Sequence, residues 1–184
     1  MKDPRLVFEK CKKNDRRAQK LLFDLYKGRV MGLSRRYTSS REEAEDVFQE
    51  AFIKIFKHLH SVEEYRYLDR WIIRTSINTA INYYHKNKRH HDYLGVDAIE
   101  TFDDHDGKII DRLDNESLLA LIHGLPEGYR LVFNLYVVEG YKHREIAEML
   151  DISEITSKSQ LSRAKTLLKE KLALLGVKKI EKYG

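Results

Sequence analysis

Residues Lys142 to Leu175 constrain the fold more than any other stretch: KHREIAEML, then DIS, then EITSKSQLSRAKTLLKEKLALL. They read as a short helix, a three-residue turn and a longer helix. In the first piece Ile146, Ala147 and Leu150 recur at helical spacing and share one apolar stripe. Ala147 is small, as a residue must be where two helices cross closely. Ser153 stands where an N-cap is needed, and its hydroxyl can accept from a free amide of the following turn. In the second piece Leu161, Ala164, Leu168 and Leu172 can pack on the first helix, while Lys158, Ser159, Ser162, Arg163 and Thr166 share the opposite face. Short polar and basic groups in that position reach phosphates and base edges. This is the helix-turn-helix arrangement, whose second helix enters the major groove. An ordinary helical hairpin with a solvated polar face would match each feature singly. Their coincidence makes DNA binding the expectation.

The rest of the chain is compatible with an all-α fold. Only two prolines occur, Pro4 and Pro126, both where a helix can begin. With 184 residues, 42% hydrophobic and 34% charged, the chain can hold one domain or two small ones. The net charge of +5 and pI near 9.1 favour an acidic partner, but the distribution says more. From Asp92 to Glu116 nine acidic residues face two basic ones, a net of −7, so the remainder carries +12 against the whole-chain +5. Two basic blocks joined by an acidic strap are expected: a domain over 1–91, a linker over 92–114 and a second domain over 115–184. Cys11 is the single cysteine, which excludes an intrachain disulfide and, with no signal peptide and no membrane-length apolar run, points to the cytoplasm.

In the first block, residues 5 to 30 carry Leu6, Phe8, Leu21, Leu22, Leu25 and Tyr26 among Lys and Arg. They predict one or two amphipathic helices, ending near Gly28 or continuing through Val30 to Tyr37. Ser40, followed by Glu42 and Glu43, opens the next helix at about 41 to 59. Ala44, Val47, Phe48, Ala51 and Ile55 give it one apolar face. Asp46, Gln49, Ile53 and Phe56 give it a second face, which is either covered by a neighbouring helix or reserved for a protein partner.

Beyond the loop at Ser61 to Glu64, Arg66, Arg70 and Arg74 form a basic ridge at i, i+4 and i+8, extended by Asn78 and Asn82. Leu68, Trp71, Ile72, Thr75, Thr79 and Ala80 can face inward, Trp71 as core rather than as a stacking platform. Tyr83, Tyr84, His85, Lys86, Lys88, Arg89, His90 and His91 close the segment. Cations neutralise phosphate and rings stack on unpaired bases, so this mixture suits nucleic acid. Successive His90 and His91 point to different sides of a helix and no Cys or Glu completes a ligand set, so neither a metal nor another cofactor is expected. The Asp103, Asp104, Asp106 cluster lacks the closing Glu of a calcium loop. In the second block a helix through His123 stops at Gly124. Another starts at Pro126, packs by Leu131, Val132, Leu135, Tyr136 and Val138, and ends at Gly140.

Taken in order, AEDVFQEAFIKIFKHL, the stretch from Tyr67 through Arg89 with Trp71 and Asn78, and LPEGYRLVFNLYVVEGY with REIAEML and SKSQLSRAK resemble a bacterial sigma factor of the extracytoplasmic-function group. The resemblance covers nearly the whole chain. It implies two small helical domains, a region 2-like bundle and a region 4-like helix-turn-helix bundle. It further implies that Asp46, Gln49, Glu50 and Ile53 meet the clamp helices of the largest subunit of core RNA polymerase, with the flap region as a second contact. Arg66, Arg70, Arg74, Asn78, Tyr83, Lys86, Lys88 and Arg89 would engage the −10 element, as duplex and as melted strand, with a non-template base held near the loop at 61 to 70. Lys142, Lys158, Ser159, Gln160, Ser162 and Arg163 would contact the −35 element. The acidic linker would thread toward the RNA-exit path. An anti-sigma factor is a further implied partner, though no residue names one.

Three departures from the family pattern stand out. Lys142 replaces the usual capping Ser or Thr, Ile155 stands where Gly is common, and Asn82 where Asp is common. Two rivals predict different behaviour. A regulator acting without polymerase would bind duplex DNA tightly on its own. A nucleic-acid enzyme using the cluster from His85 to Asp92, or the acidic loop, would show metal-dependent turnover and need a carboxylate set that the sequence does not offer.

Overall fold

A computed structural model describes residues 3–94 and 115–174, with side chains omitted at 89–94 and 115–118. The chain divides into two units, Met1–Leu94 and Gly95–Gly184. Among the described residues the structure is helical and contains no strand.

The first unit opens with α1 (Pro4–Lys12), where Pro4 takes the first turn and the Asp3 carboxylate accepts from the Arg5 amide at 2.9 Å. The chain then turns at Asn14, whose φ of 61° is left-handed, a conformation asparagine tolerates better than most residues. Asp15 caps α2 (Arg16–Tyr37) by accepting from the Ala18 amide at 2.8 Å. Helix α2 does not stop at Gly28; it takes the longer course, because Val30, Leu33 and Tyr37 continue the buried stripe of Leu22 and Tyr26. Helix α3 (Arg41–His58) starts on Ser40, whose hydroxyl accepts from the Glu43 amide at 3.2 Å. The Glu43 carboxylate accepts in return from the Ser39 amide at 2.8 Å. Two 3₁₀ turns, Leu59–Ser61 and Tyr65–Tyr67, lead into α4 (Leu68–Leu94).

Helices α1, α3 and α4 all pack on α2, and α3 also packs on α4. The core runs from Phe8 and Leu22 through Ala51, Phe52 and Ile55 to Leu68 and Ile72. Phe23 lies 4.7 Å from Phe52 by ring centroid, and Phe48 5.0 Å, so an aromatic cluster joins α2 to α3. Leu68, Ile72, Thr79 and Ala80 of α4 are buried as expected, joined by Ile77 and Ile81, while Trp71 and Thr75 are half-buried. Trp71 packs against the core. The hydroxyls of Ser76 and Thr79 donate to the carbonyls of Ile72 and Thr75 one turn back, at 2.9 and 2.8 Å, so their burial leaves no unmet donor. Cys11 is also buried; desolvation, with Asp15 nearby, pushes its thiol up to about 11, so it stays protonated at neutral pH.

The second unit has α5 (Asn115–His123), α6 (Glu127–Phe133), α7 (His143–Leu150) and α8 (Glu154–Leu174). Helix α6 continues into a π-helical turn, Asn134–Val138. Gly124 ends α5, and the Lys171 ammonium of α8 donates to its carbonyl at 2.8 Å. Leu121, Leu125, Ala164 and Leu168 form a core cluster, with Tyr129, Phe133, Leu167 and Leu172 against it. One expectation fails here: Leu131, Val132 and Leu135 are buried, but Tyr136 and Val138 are exposed. The Glu139 amide donates to the Asn134 carbonyl at 3.0 Å, a five-residue step. The widened turn breaks the helical register that would have put Tyr136 and Val138 on the core face.

The predicted acidic linker at 92–114 is described only at its first three positions, where α4 continues to Leu94; the remainder, with Asp103, Asp104 and Asp106, lies outside the described residues.

Candidate nucleic-acid interface

The helix-turn-helix is built from local chemistry. Asp151 ends α7 in a left-handed conformation with φ of 53°, and the Ile152 amide donates to the Ala147 carbonyl at 3.1 Å. Ser153 then caps α8, accepting from the Thr156 amide at 2.9 Å. Ile146 and Leu150 are buried on α7, Leu161 and Ala164 are buried on α8, and the two helices pack together. That packing leaves Ile155, Lys158, Ser159, Ser162, Arg163 and Thr166 on the exposed side of α8.

The exposed side chains are held by their neighbours. Lys158 pairs with Glu154 at 2.7 Å, and its hydrogen bond holds the Glu154 carboxyl below the ordinary carboxylate range. The Arg163 guanidinium donates to the Tyr129 hydroxyl at 3.1 Å, which ties it to α6 and raises its pKa. The Ser159 hydroxyl donates back to the Thr156 carbonyl at 2.9 Å. Solvent-exposed pairs of this kind are weak, so a phosphate can displace them. Gln160 stands apart from the other predicted −35 residues: it is half-buried, with its amide turned toward Gly128 of α6. Lys142 is exposed at the start of α7. Its ammonium has no lone pair and cannot cap, yet its own amide donates to the Glu145 carboxylate at 2.8 Å. Half of a capping box is therefore present although lysine stands at its head.

The first unit offers two further surfaces. On α3 the buried residues Ala44, Val47, Ala51 and Ile55 lie opposite Asp46, Gln49, Glu50 and Ile53, all exposed. Phe56 separates from this set, half-buried against Phe52 with ring centroids 5.8 Å apart. On α4, Arg70, Arg74, Asn78 and Asn82 form an exposed row. Arg66 does not begin that row as the spacing suggests, because α4 starts at Leu68. It sits in the preceding 3₁₀ turn, paired with Glu64 at 2.7 Å and stacked over the Tyr67 ring at 4.8 Å. Tyr83 is half-buried beside Asn87, which donates to Glu43 of α3 at 3.3 Å. Lys86 and Lys88 are exposed; the Arg89, His90 and His91 side chains lie outside the described residues.

Three contributions escape a reading by motif. Lys165 and Lys169 extend the exposed basic face of α8, and their spacing of seven and eleven from Lys158 could have placed them there. Helix α1 braces the loop before α4: Phe8 packs on Tyr65 with centroids 6.0 Å apart, and Lys12 donates to the Val62 carbonyl at 2.9 Å. Helix α2 secures the start of α4 by an ion pair from Arg29 to Asp69. Asp69 also bonds the Tyr26 hydroxyl, which burial pushes up to about 12. No short motif records these contacts, since their partners are distant in sequence.

A bundle displaying a cationic helix, followed by a helix-turn-helix unit, defines a class: a DNA-binding protein with two separate contact surfaces. Residues 22–90 match the family profile of sigma-70 region 2, and residues 115–168 match sigma-70 region 4. The chain is 32% identical over 178 residues to the ECF RNA polymerase sigma-E factor of Haemophilus influenzae, across 90% of this chain and 93% of that one. It is 31% identical over 178 residues to the factor of the same description from Escherichia coli K12, across 91% and 93%. Among solved structures it is similar in fold to the sigma factor RpoE crystallised with the anti-sigma factor NepR from Bartonella quintana. There the TM-score is 0.56, at 24% identity, over 87% of this chain and 98% of that one. A second similar fold is CnrH in complex with the cytosolic domain of CnrY, with a TM-score of 0.50 at 18% identity over 96% and 100%. The chain belongs to the extracytoplasmic-function sigma factors of bacterial RNA polymerase. Its function is that of an alternative sigma factor: it binds core RNA polymerase and directs initiation at promoter DNA. Among the described residues no helix is long and apolar enough to cross a membrane.

Proposed function

We propose that the function divides along the chain, with residues 1–91 joining the polymerase and engaging the −10 element, 92–114 linking, and 115–184 reading the −35 element. Asp46, Gln49, Glu50 and Ile53 dock on the clamp helices of the largest subunit, and the second unit meets the flap region. The observation that carries this reading is Ile53, 66% exposed at the middle of an acid and amide face that no helix of its own unit covers. An exposed branched side chain ringed by polar groups matches the centre of an interface.

Arg70 and Arg74, with Arg66, Lys86, Lys88 and Arg89, neutralise −10 phosphates, while Asn78 and Tyr83 meet bases exposed as the strands part. Lys158, Ser159, Ser162 and Arg163 enter the major groove at −35, and Lys165 and Lys169 follow the flanking phosphates. Gln160 supports α8 from behind rather than reading a base. Strand separation draws on binding energy and no step requires covalent chemistry by this chain, so the protein is not an enzyme. It works in the cytoplasm, and an anti-sigma factor is a further partner. The test is run-off transcription with purified core polymerase across genomic promoter fragments. Discrete transcripts that depend on the added chain are expected; promoter-independent initiation would refute the reading.

Lys142 gives a prediction with two opposite signs. Lys142→Ser completes the capping box, which should stabilise α7 by about 1 kcal/mol in a thermal melt. The same change removes a cation positioned for phosphate. The holoenzyme should bind promoter more weakly, with a slope of log affinity against log salt shallower by about one. An unchanged slope would remove Lys142 from the interface.

A further inference from the structure

Ile155 is the anomaly on the recognition face. It is 79% exposed and lies directly opposite Ser157, Leu161, Ala164 and Leu168, the buried stripe of α8. Its neighbours on that face at three, four and seven residues are Lys158, Ser159 and Ser162, all exposed and polar. Neither folding nor solvation accounts for an isoleucine there. A β-branched residue is a mediocre helix former, and its apolar surface is left in water. Nor does it make a docking patch, since such patches are contiguous and this side chain is apolar alone among its helical neighbours.

We infer that Ile155 reads the 5-methyl group of a thymine in the −35 element. The inference rests on α8 being the −35 reader, as proposed above. The major groove presents one apolar group, the thymine methyl, and residues near the start of a recognition helix meet base edges. Lys158 and Ser159 on either side are engaged with Glu154 and with the Thr156 carbonyl, at 2.7 and 2.9 Å. Contact through Ile155 needs no hydrogen bond from either of them.

The test uses the full chain with core polymerase. Promoter duplexes randomised across −35 are first enriched by binding to the holoenzyme. Each thymine of the enriched element is then replaced singly by deoxyuridine, which removes only the methyl. Affinities are measured for the wild type, Ile155→Val and Ile155→Ala. One replacement should weaken the wild type about fourfold, the factor for removing one buried methyl. Ile155→Val should retain part of that discrimination, and Ile155→Ala should bind the two duplexes equally. The exposed position predicts unchanged melting of both variants, checked by circular dichroism. If no replacement affects the wild type, if Ile155→Ala loses as much, or if the enriched element has no A·T pair, the inference is overturned. If no −35 sequence is enriched at the first step, α8 is not the reader, and that reading falls before the uracil step, taking the inference with it.

Discussion

Asp46→Arg combined with Ile53→Glu abolishes stable association with core polymerase while leaving the melting temperature unchanged. Both side chains are exposed on α3, opposite Ala44, Val47, Ala51 and Ile55, so neither change touches the core. Substitutions at such sites shift stability by about 0.5 kcal/mol or less. At the centre of an interface the loss is about 2–4 kcal/mol for a residue that carries binding, or roughly 30- to 1000-fold in Kd. Two changes on one helix face, one introducing a buried charge, should reach the upper end. Fluorescence anisotropy of labelled chain titrated with core enzyme measures it. A Kd within threefold of wild type would mean that this face is not the polymerase contact.

Phe8→Ala lowers the stability of the first unit by about 3–5 kcal/mol. Phe8 is fully buried in a core shared by four helices, and its ring meets Tyr65 and lies 5.2 Å below the Lys12 ammonium. For a unit of this size each kcal/mol corresponds to about 4–8 °C in Tm, so a fall well above 10 °C is expected by calorimetry. The same ring braces the loop before α4, near which the family resemblance implies a non-template base is held. Promoter opening should therefore slow even at temperatures where the variant remains folded, as read by permanganate footprinting of melted thymines. Leu6→Ala, on the exposed side of α1, is the control and should be near neutral. A loss below 1 kcal/mol for Phe8→Ala would show that α1 is not integral to the core.

Much of the molecule was legible in the order of its residues. Ser40 and Ser153 cap the helices they precede, and the turn from Asp151 to Ser153 has the anticipated length. The buried stripe of α8 also falls where its period places it. Other features were not legible. Helix α2 passes through Gly28, where the sequence left both an ending and a continuation open, whereas Gly124, two residues before Pro126, does end a helix. Ile53 and Phe56 share a helical face by spacing, yet only Phe56 has an aromatic neighbour to lie on. Arg66 keeps step with Arg70 and Arg74 on paper, but the helix begins two residues too late to carry it.

By itself, then, the sequence determined the all-helical character, the caps and the helix-turn-helix, together with membership of the family. Each of these rests on interactions between residues at most a few positions apart, or on a pattern of residues read in order. Tertiary structure alone decided which apolar groups remain exposed and which polar ones turn inward. Gln160 folds against Gly128, Phe56 lies on Phe52, and Ile53 stays in solvent. Burial depends on what a neighbouring helix, distant along the chain, brings to the contact, and periodicity within a single helix carries no record of that.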